Sequence, residues 1–269
     1  MGCICMNVKL EMAIKEAENN VYRGINLLNG TIVFIWALLC LFIINKNRNF
    51  PYVFAFGGIY YLSLIILCTL LFKDINKYLS FPKENRKMPA FIGHKLDTVF
   101  TYPILLMSLI GIISNLLAAT GCFPAVLQQM SSTSSKTVEI IARSMLLPLA
   151  AFAEELLNLL LVSFLYKNMK LLGNFRLIVS ILFSALVFGI LHAFGWGLNA
   201  AIPIGIAYIP VFFVTLYTGN IWISFLAHLY NNLISLAKYN YGSYYLIIIA
   251  AISFIPAVWA IRDMLRKTR

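Results

Sequence analysis

Apolar residues run through this chain in blocks of about twenty, broken by short polar connections. Roughly 20 apolar residues are needed for a helix to cross the hydrocarbon core of a bilayer. On that measure the pattern predicts eight spans, at 25–44, 51–72, 98–119, 145–165, 177–196, 198–217, 221–237 and 243–261. The expected fold class is therefore all-α, a polytopic membrane helix bundle. Residues 6–24 scatter Lys9, Glu11, Lys15, Glu16, Glu18 and Arg23 among apolar positions, which predicts an interfacial helix ahead of the first span. Thr137 to Ser144 predict a short amphipathic lead-in before the fourth span, and Gly195, Trp196 and Gly197 predict a tight turn or broken helix between the fifth and sixth. Four regions follow: an interfacial segment at 1–24, N-terminal membrane helices with a basic loop at 25–137, a helix core at 138–242, and a last span with a basic tail at 243–269.

Composition agrees with a membrane protein. The chain is 61% hydrophobic and 12% charged, with a mean hydropathy of +0.85, whereas soluble domains are about one quarter charged. The net charge of +11 sits in connections rather than on a stripe with interleaved aromatics, so lipid headgroups, not nucleic acid, are the expected partner. Sixteen of the basic residues fall on one side of the predicted topology and four on the other, with Arg143 in the lead-in. By the positive-inside rule both termini are expected to be cytoplasmic. The five cysteines have no paired or metal-ligand spacing and imply no disulfide framework.

The candidate chemistry lies inside the spans. Glu154 and Glu155 are adjacent carboxylates within the fourth apolar run, and the other eight acids are read as lying outside spans or at their ends. An ionised carboxylate at membrane depth costs at least about 2.5 kcal/mol, so it normally faces a protein interior or a watery cavity. His192 and His228 are the two histidines within spans. Phe188 precedes His192 by four residues and Asn232 follows His228 by four, so each pair shares a helix face. Glu154 and Glu155 point about 100° apart and cannot play the same part. Taken singly, a span histidine is an interhelical hydrogen-bond partner, a glutamate pair is a proton relay or cation site, and Phe188 is packing. The conjunction of three patterned clusters points to one shared site.

The ordered set Glu154-Glu155, Phe188 with His192, and His228 with Asn232 resembles the motifs of the CAAX protease and bacteriocin-processing (Abi) family of intramembrane glutamate-type peptidases, which includes the type II CAAX prenyl endopeptidases. The resemblance covers about residues 145 to 235. It implies that Glu154 and His192 activate a water, that His228 and Asn232 form the oxyanion hole, that Glu155 supports them, and that no metal or cofactor is required. The expected substrate is a membrane-associated peptide or protein, such as a bacteriocin or a peptide pheromone. Richness in Ile, Asn and Lys would suit a bacterial plasma membrane protein.

One position departs from the family pattern. An arginine four residues after the second glutamate is replaced by Leu159, so Glu155 lacks that partner; Asn158 can offer it a hydrogen bond but not a charge. Leu159→Arg is then expected to raise activity where the geometry is otherwise that of the family. Three other readings stand beside the peptidase. Glu and two His are also a plausible zinc set; a non-catalytic bacteriocin-immunity or chaperone-like protein could keep the cavity; and a transporter could use buried acids, although no inverted repeat is visible. Counted along the spans, Glu154 and His228 lie near mid-membrane and His192 nearer the outer face.

Overall fold

The computed structural model describes residues 2–46, 52–81, 93–120, 136–171 and 173–241. Its helices are α1 (Gly2–Asn19), α2 (Leu27–Lys46), α3 (Tyr52–Leu71), α4 (Asn76–Leu79), α5 (His94–Leu96), α6 (Tyr102–Ala119), α7 (Lys136–Asn168), α8 (Gly173–Trp196), α9 (Leu198–Thr218) and α10 (Trp222–Tyr241). A π-helical turn, Asp97–Thr101, joins α5 to α6. The protein is a polytopic helical membrane protein. Six described helical stretches are long and apolar enough to cross a bilayer: Leu27–Ile44, Phe54–Leu71, Asp97–Leu117, Ile141–Asn168, Phe175–Ala193 and Leu198–Thr218. Their outward faces carry exposed apolar side chains such as Leu70 at 76% and Leu198 at 82%, as a lipid-facing surface requires.

Several expectations change in detail. The seventh expected span forms a helix, α10, but His228, Asn231, Asn232 and Lys238 make it too polar to stand among those six. The eighth, 243–261, lies outside the described residues. The separate lead-in at Thr137 to Ser144 is instead the first part of α7, a single helix of 33 residues with Pro148 inside it. At 1.5 Å per residue α7 is about 50 Å long, well beyond the hydrocarbon core, so it must tilt or protrude. Asp97, read as lying at a span end, is fully buried and accepts the Gly93 N–H at 3.2 Å.

The helices α8 and α9 form an antiparallel hairpin with the most extensive contact among the described helices. Gly197, at φ +86°, makes the turn between them, where a side chain would be strained. Small residues recur every fourth position on both facing surfaces, Ala185 and Gly189 on α8, Ala201 and Gly205 on α9. A Cβ on Gly189 would lie 1.9 Å from the Ala201 carbonyl oxygen, and one on Gly205 would lie 2.6 Å from that of Ala185. The backbones touch because no side chain intervenes, the packing that substitutes for a hydrophobic drive between helices in lipid.

At one end of the bundle α1 docks where α7 ends, α8 begins and α9 ends. Tyr166 donates its hydroxyl to Glu18, Arg176 donates to that same phenol oxygen at 2.9 Å, and Arg176 lies 4.0 Å from the Glu18 carboxylate. Asn20 Nδ2 donates to the Tyr217 carbonyl at 3.1 Å. The charged segment expected at the interface is thus a folded part of the bundle. Tyr22, in the connection after α1, donates to the Lys73 carbonyl; burial, then the neighbouring Asp74, push its phenol up to about 12, which keeps the donor proton in place at neutral pH. Trp222 Nε1 and Asn220 Nδ2 donate to the carbonyls of Leu79 and Ser80 at 2.8 and 2.6 Å, fastening the α4 segment to the start of α10.

Candidate active site

Helices α7, α8 and α10 bring the three clusters together. Glu154 Oε2 lies 3.7 Å from His192 Nε2 and 3.6 Å from His228 Nε2. Both separations exceed a direct hydrogen bond, and Oε2 is buried with no hydrogen-bond partner among the described residues. The other oxygen, Oε1, accepts the Tyr61 hydroxyl from α3 at 3.2 Å. His192, counted nearer the outer face than Glu154, is level with it.

Hydrogen bonds assign the imidazole nitrogens. His192 Nδ1 lies 2.9 Å from the Phe188 carbonyl oxygen one turn back. A carbonyl only accepts, so Nδ1 carries the proton and the lone pair of a neutral ring sits on Nε2, facing Glu154. His228 Nδ1 donates to Glu155 Oε1 at 3.0 Å, so His228 stands between the two carboxylates. Phe188 stacks on Tyr208 with ring centroids 4.0 Å apart and lies 4.3 Å from the His192 ring. It is an aromatic shelf against which the imidazole is held.

Glu155 has acquired partners that its sequence neighbours do not supply. Tyr208, on α9, donates its hydroxyl to the same Oε1 that His228 binds. Leu159, at the position of the family's arginine, is 1% exposed within the core. Asn158 does not serve Glu155: its side chain is buried and its Nδ2 has no hydrogen-bond partner among the described residues. Arg143 is elsewhere, its guanidinium 5.7 Å from the centre of the Phe54 ring. Asn232 lies one turn beyond His228, partly buried, and hydrogen-bonds none of the four titratable groups. Among the described residues, no group of three or more His, Cys, Asp and Glu side chains is arranged to hold a metal ion.

Two acidic residues on one helix and two histidines on two others, all converging, are also where the comparison with known families falls. Residues 135–234 match the family described as type II CAAX prenyl endopeptidase Rce1-like. That stretch is similar to the Rce1-like family over about a third of the chain. The family is one of intramembrane CAAX-type proteases, and the matched stretch contains every site residue inferred from the motifs. No curated protein and no solved structure matches the chain.

Two phenols in the site were not singled out from the sequence. Tyr208 lies within the Rce1-like stretch and Tyr61 outside it. The available signal was weak: a tyrosine in an apolar span needs a partner for its hydroxyl, but nothing local says which one. The pairing of Glu155 with Tyr208 and His228 argues for another outcome of Leu159→Arg. An arginine at a fully buried position brings a desolvation cost of several kcal/mol, and Tyr208 and His228 already donate to the carboxylate it would pair with. The expected result is loss of folded protein in detergent, read by size-exclusion chromatography. A folded variant with raised peptidase activity would show that the family's ion pair still fits here.

Proposed function

We propose that the protein is a metal-independent intramembrane endopeptidase whose nucleophile is a water held between Glu154 and His192. The supporting observation is the convergence of Glu154 Oε2 with the two imidazole Nε2 atoms at 3.6 and 3.7 Å. Oε2 and the His192 Nε2 lone pair are both acceptors, so a water between them donates a proton to each and turns its oxygen lone pair outward. As that oxygen attacks the scissile carbonyl carbon, its proton passes to Glu154. His228 is balanced by Glu155, to which its Nδ1–H donates; carried as an imidazolium, it presents Nε2–H to the oxyanion. Asn232, one turn along α10, is the second donor. Collapse of the tetrahedral intermediate breaks the C–N bond, and Glu154 returns its proton to the departing amine.

In this reading Glu155 serves His228 rather than Glu154, and Tyr208 fills the place left by the missing arginine. The basic-residue distribution supports a topology with both termini on the cytoplasmic side, and the composition suits a bacterial plasma membrane. The substrate class is a membrane-associated peptide or protein reaching the site among the helices, a bacteriocin or a peptide pheromone being the bacterial forms expected.

The test uses the purified protein in lipid nanodiscs with two quenched fluorogenic peptides, one bearing a farnesylated cysteine near its C-terminus and one apolar but unprenylated. Cleavage of either is expected, unchanged by a zinc chelator and lost in His192→Ala. Loss of activity on chelation would favour the zinc reading. No cleavage of either peptide would favour the immunity or chaperone-like reading.

A further inference from the structure

We propose that Tyr61, on α3 and outside the Rce1-like stretch, is a positioning residue of the catalytic site that aims the Glu154 carboxylate at the two imidazoles. For its catalytic consequence the proposal rests on the peptidase reading above. The terminal torsion of a glutamate is broad and nearly two-fold, so the side chain does not itself determine which oxygen faces which neighbour. Here the two oxygens are sharply distinguished. Oε1 accepts the Tyr61 hydroxyl at 3.2 Å, whereas Oε2 is the oxygen that both histidines approach. An ionised carboxylate only accepts and a phenol at neutral pH donates. Tyr61 therefore occupies one oxygen and leaves the other as the base.

The packing of α3 holds this donor in place. Leu64 and Cys68, three and seven residues on, are fully buried on the same helix face. Gly57, one turn before Tyr61, lets α3 lie close to α7, since a Cβ there would come within 3.2 Å of Leu146 Cδ2. The ring of Tyr60, itself 3% exposed, lies 4.7 Å from that of Tyr61 and buttresses it. Residues 135–234 therefore do not hold the whole site, and α3 completes it.

Tyr61→Phe removes one oxygen atom, and Thr69→Val removes an exposed hydroxyl two turns further along α3 that donates only to the Ile66 carbonyl. Steady-state kinetics in nanodiscs with the farnesylated and the unprenylated peptide should show kcat for Tyr61→Phe about 10- to 100-fold lower, with KM unchanged and with Thr69→Val equal to wild type. The infrared spectrum of protein labelled with ¹³C-glutamate supplies a readout independent of turnover. The carboxylate band that disappears in Glu154→Gln should shift in Tyr61→Phe. Wild-type kcat with an unshifted band overturns the proposal, as does a fall in thermal stability with kcat per folded molecule preserved. Should Tyr61→Phe not fold, fluorotyrosine at position 61 keeps the ring and alters only the strength of its donor, and the same readouts apply. If the wild type cleaves neither peptide the peptidase reading fails, and if Glu154→Gln retains activity Glu154 is not the base; in either case the band still reports whether Tyr61 holds Glu154.

Discussion

Glu154→Gln should lower peptide hydrolysis by about 10²- to 10⁴-fold, the usual worth of a positioned general base, while leaving a folded protein in the membrane. Glutamine has the same length and can keep its carbonyl oxygen on the Tyr61 hydroxyl. Its amide NH₂ then faces His192 Nε2, an acceptor by the tautomer that the Phe188 carbonyl selects. The substitution is tolerated electrostatically, but no group at Oε2 remains to take a proton from water. The measurement is hydrolysis of the two fluorogenic peptides, normalised to the monodisperse fraction on size-exclusion chromatography. Activity above about a tenth of wild type would be more than a lost general base allows and would remove Glu154 from the mechanism.

Gly189→Ala should destabilise the hairpin of α8 and α9 and cripple the site together. The added methyl would meet the Ala201 carbonyl oxygen at 1.9 Å, against an ordinary carbon contact of about 3.5 Å. Both sides are backbone, so no rotamer change relieves the clash and the helices must part by about 1.5 Å to restore contact distance. Overpacking of this kind costs about 1–3 kcal/mol and sometimes more. His192 follows Gly189 by three residues and Tyr208 follows Gly205 by three, so separating the helices moves a candidate base and the donor to Glu155. A misplacement of about 1 Å at a reacting centre can cost on the order of 10²-fold in rate. Thermal unfolding in detergent and peptide hydrolysis should therefore both fall. Gly111→Ala, where a Cβ meets nothing within 4 Å, is the control and should match wild type in both. A Gly189→Ala protein with unchanged melting would mean that the helix contact is looser than described.

The same hairpin shows why this site is sensitive to packing rather than to charge alone. The clusters on α7, α8 and α10 are separated by tens of residues, and the distances among Glu154, His192 and His228 depend on how tightly the helices lie. The small residues between α8 and α9 bear on one of those distances by fixing how the helix that carries His192 packs. The anchoring of Trp222 to the Leu79 carbonyl at 2.8 Å holds another, because it fixes the start of the helix that carries His228.

The sequence by itself determined that the chain is an all-helical membrane protein, since blocks of about twenty apolar residues have no other stable use. It also singled out the helices that bear the candidate site residues, because an acid or imidazole in such a block is costly and stands out singly, and because the four-residue spacing of Phe188 with His192 and of His228 with Asn232 is a property of one helix. Helix boundaries were less legible: α7 absorbed its expected lead-in because polarity changes at the membrane surface while the backbone hydrogen-bond ladder continues through it. Only the tertiary structure decided the partners. Tyr61 and Tyr208 lie 93 and 53 residues from the carboxylates they serve, and no local pattern encodes a contact between helices so far apart in the chain. The tertiary structure likewise set His192 level with Glu154, because depth in a bundle follows from tilt and from how closely backbones approach, which depend on both partners of each contact at once.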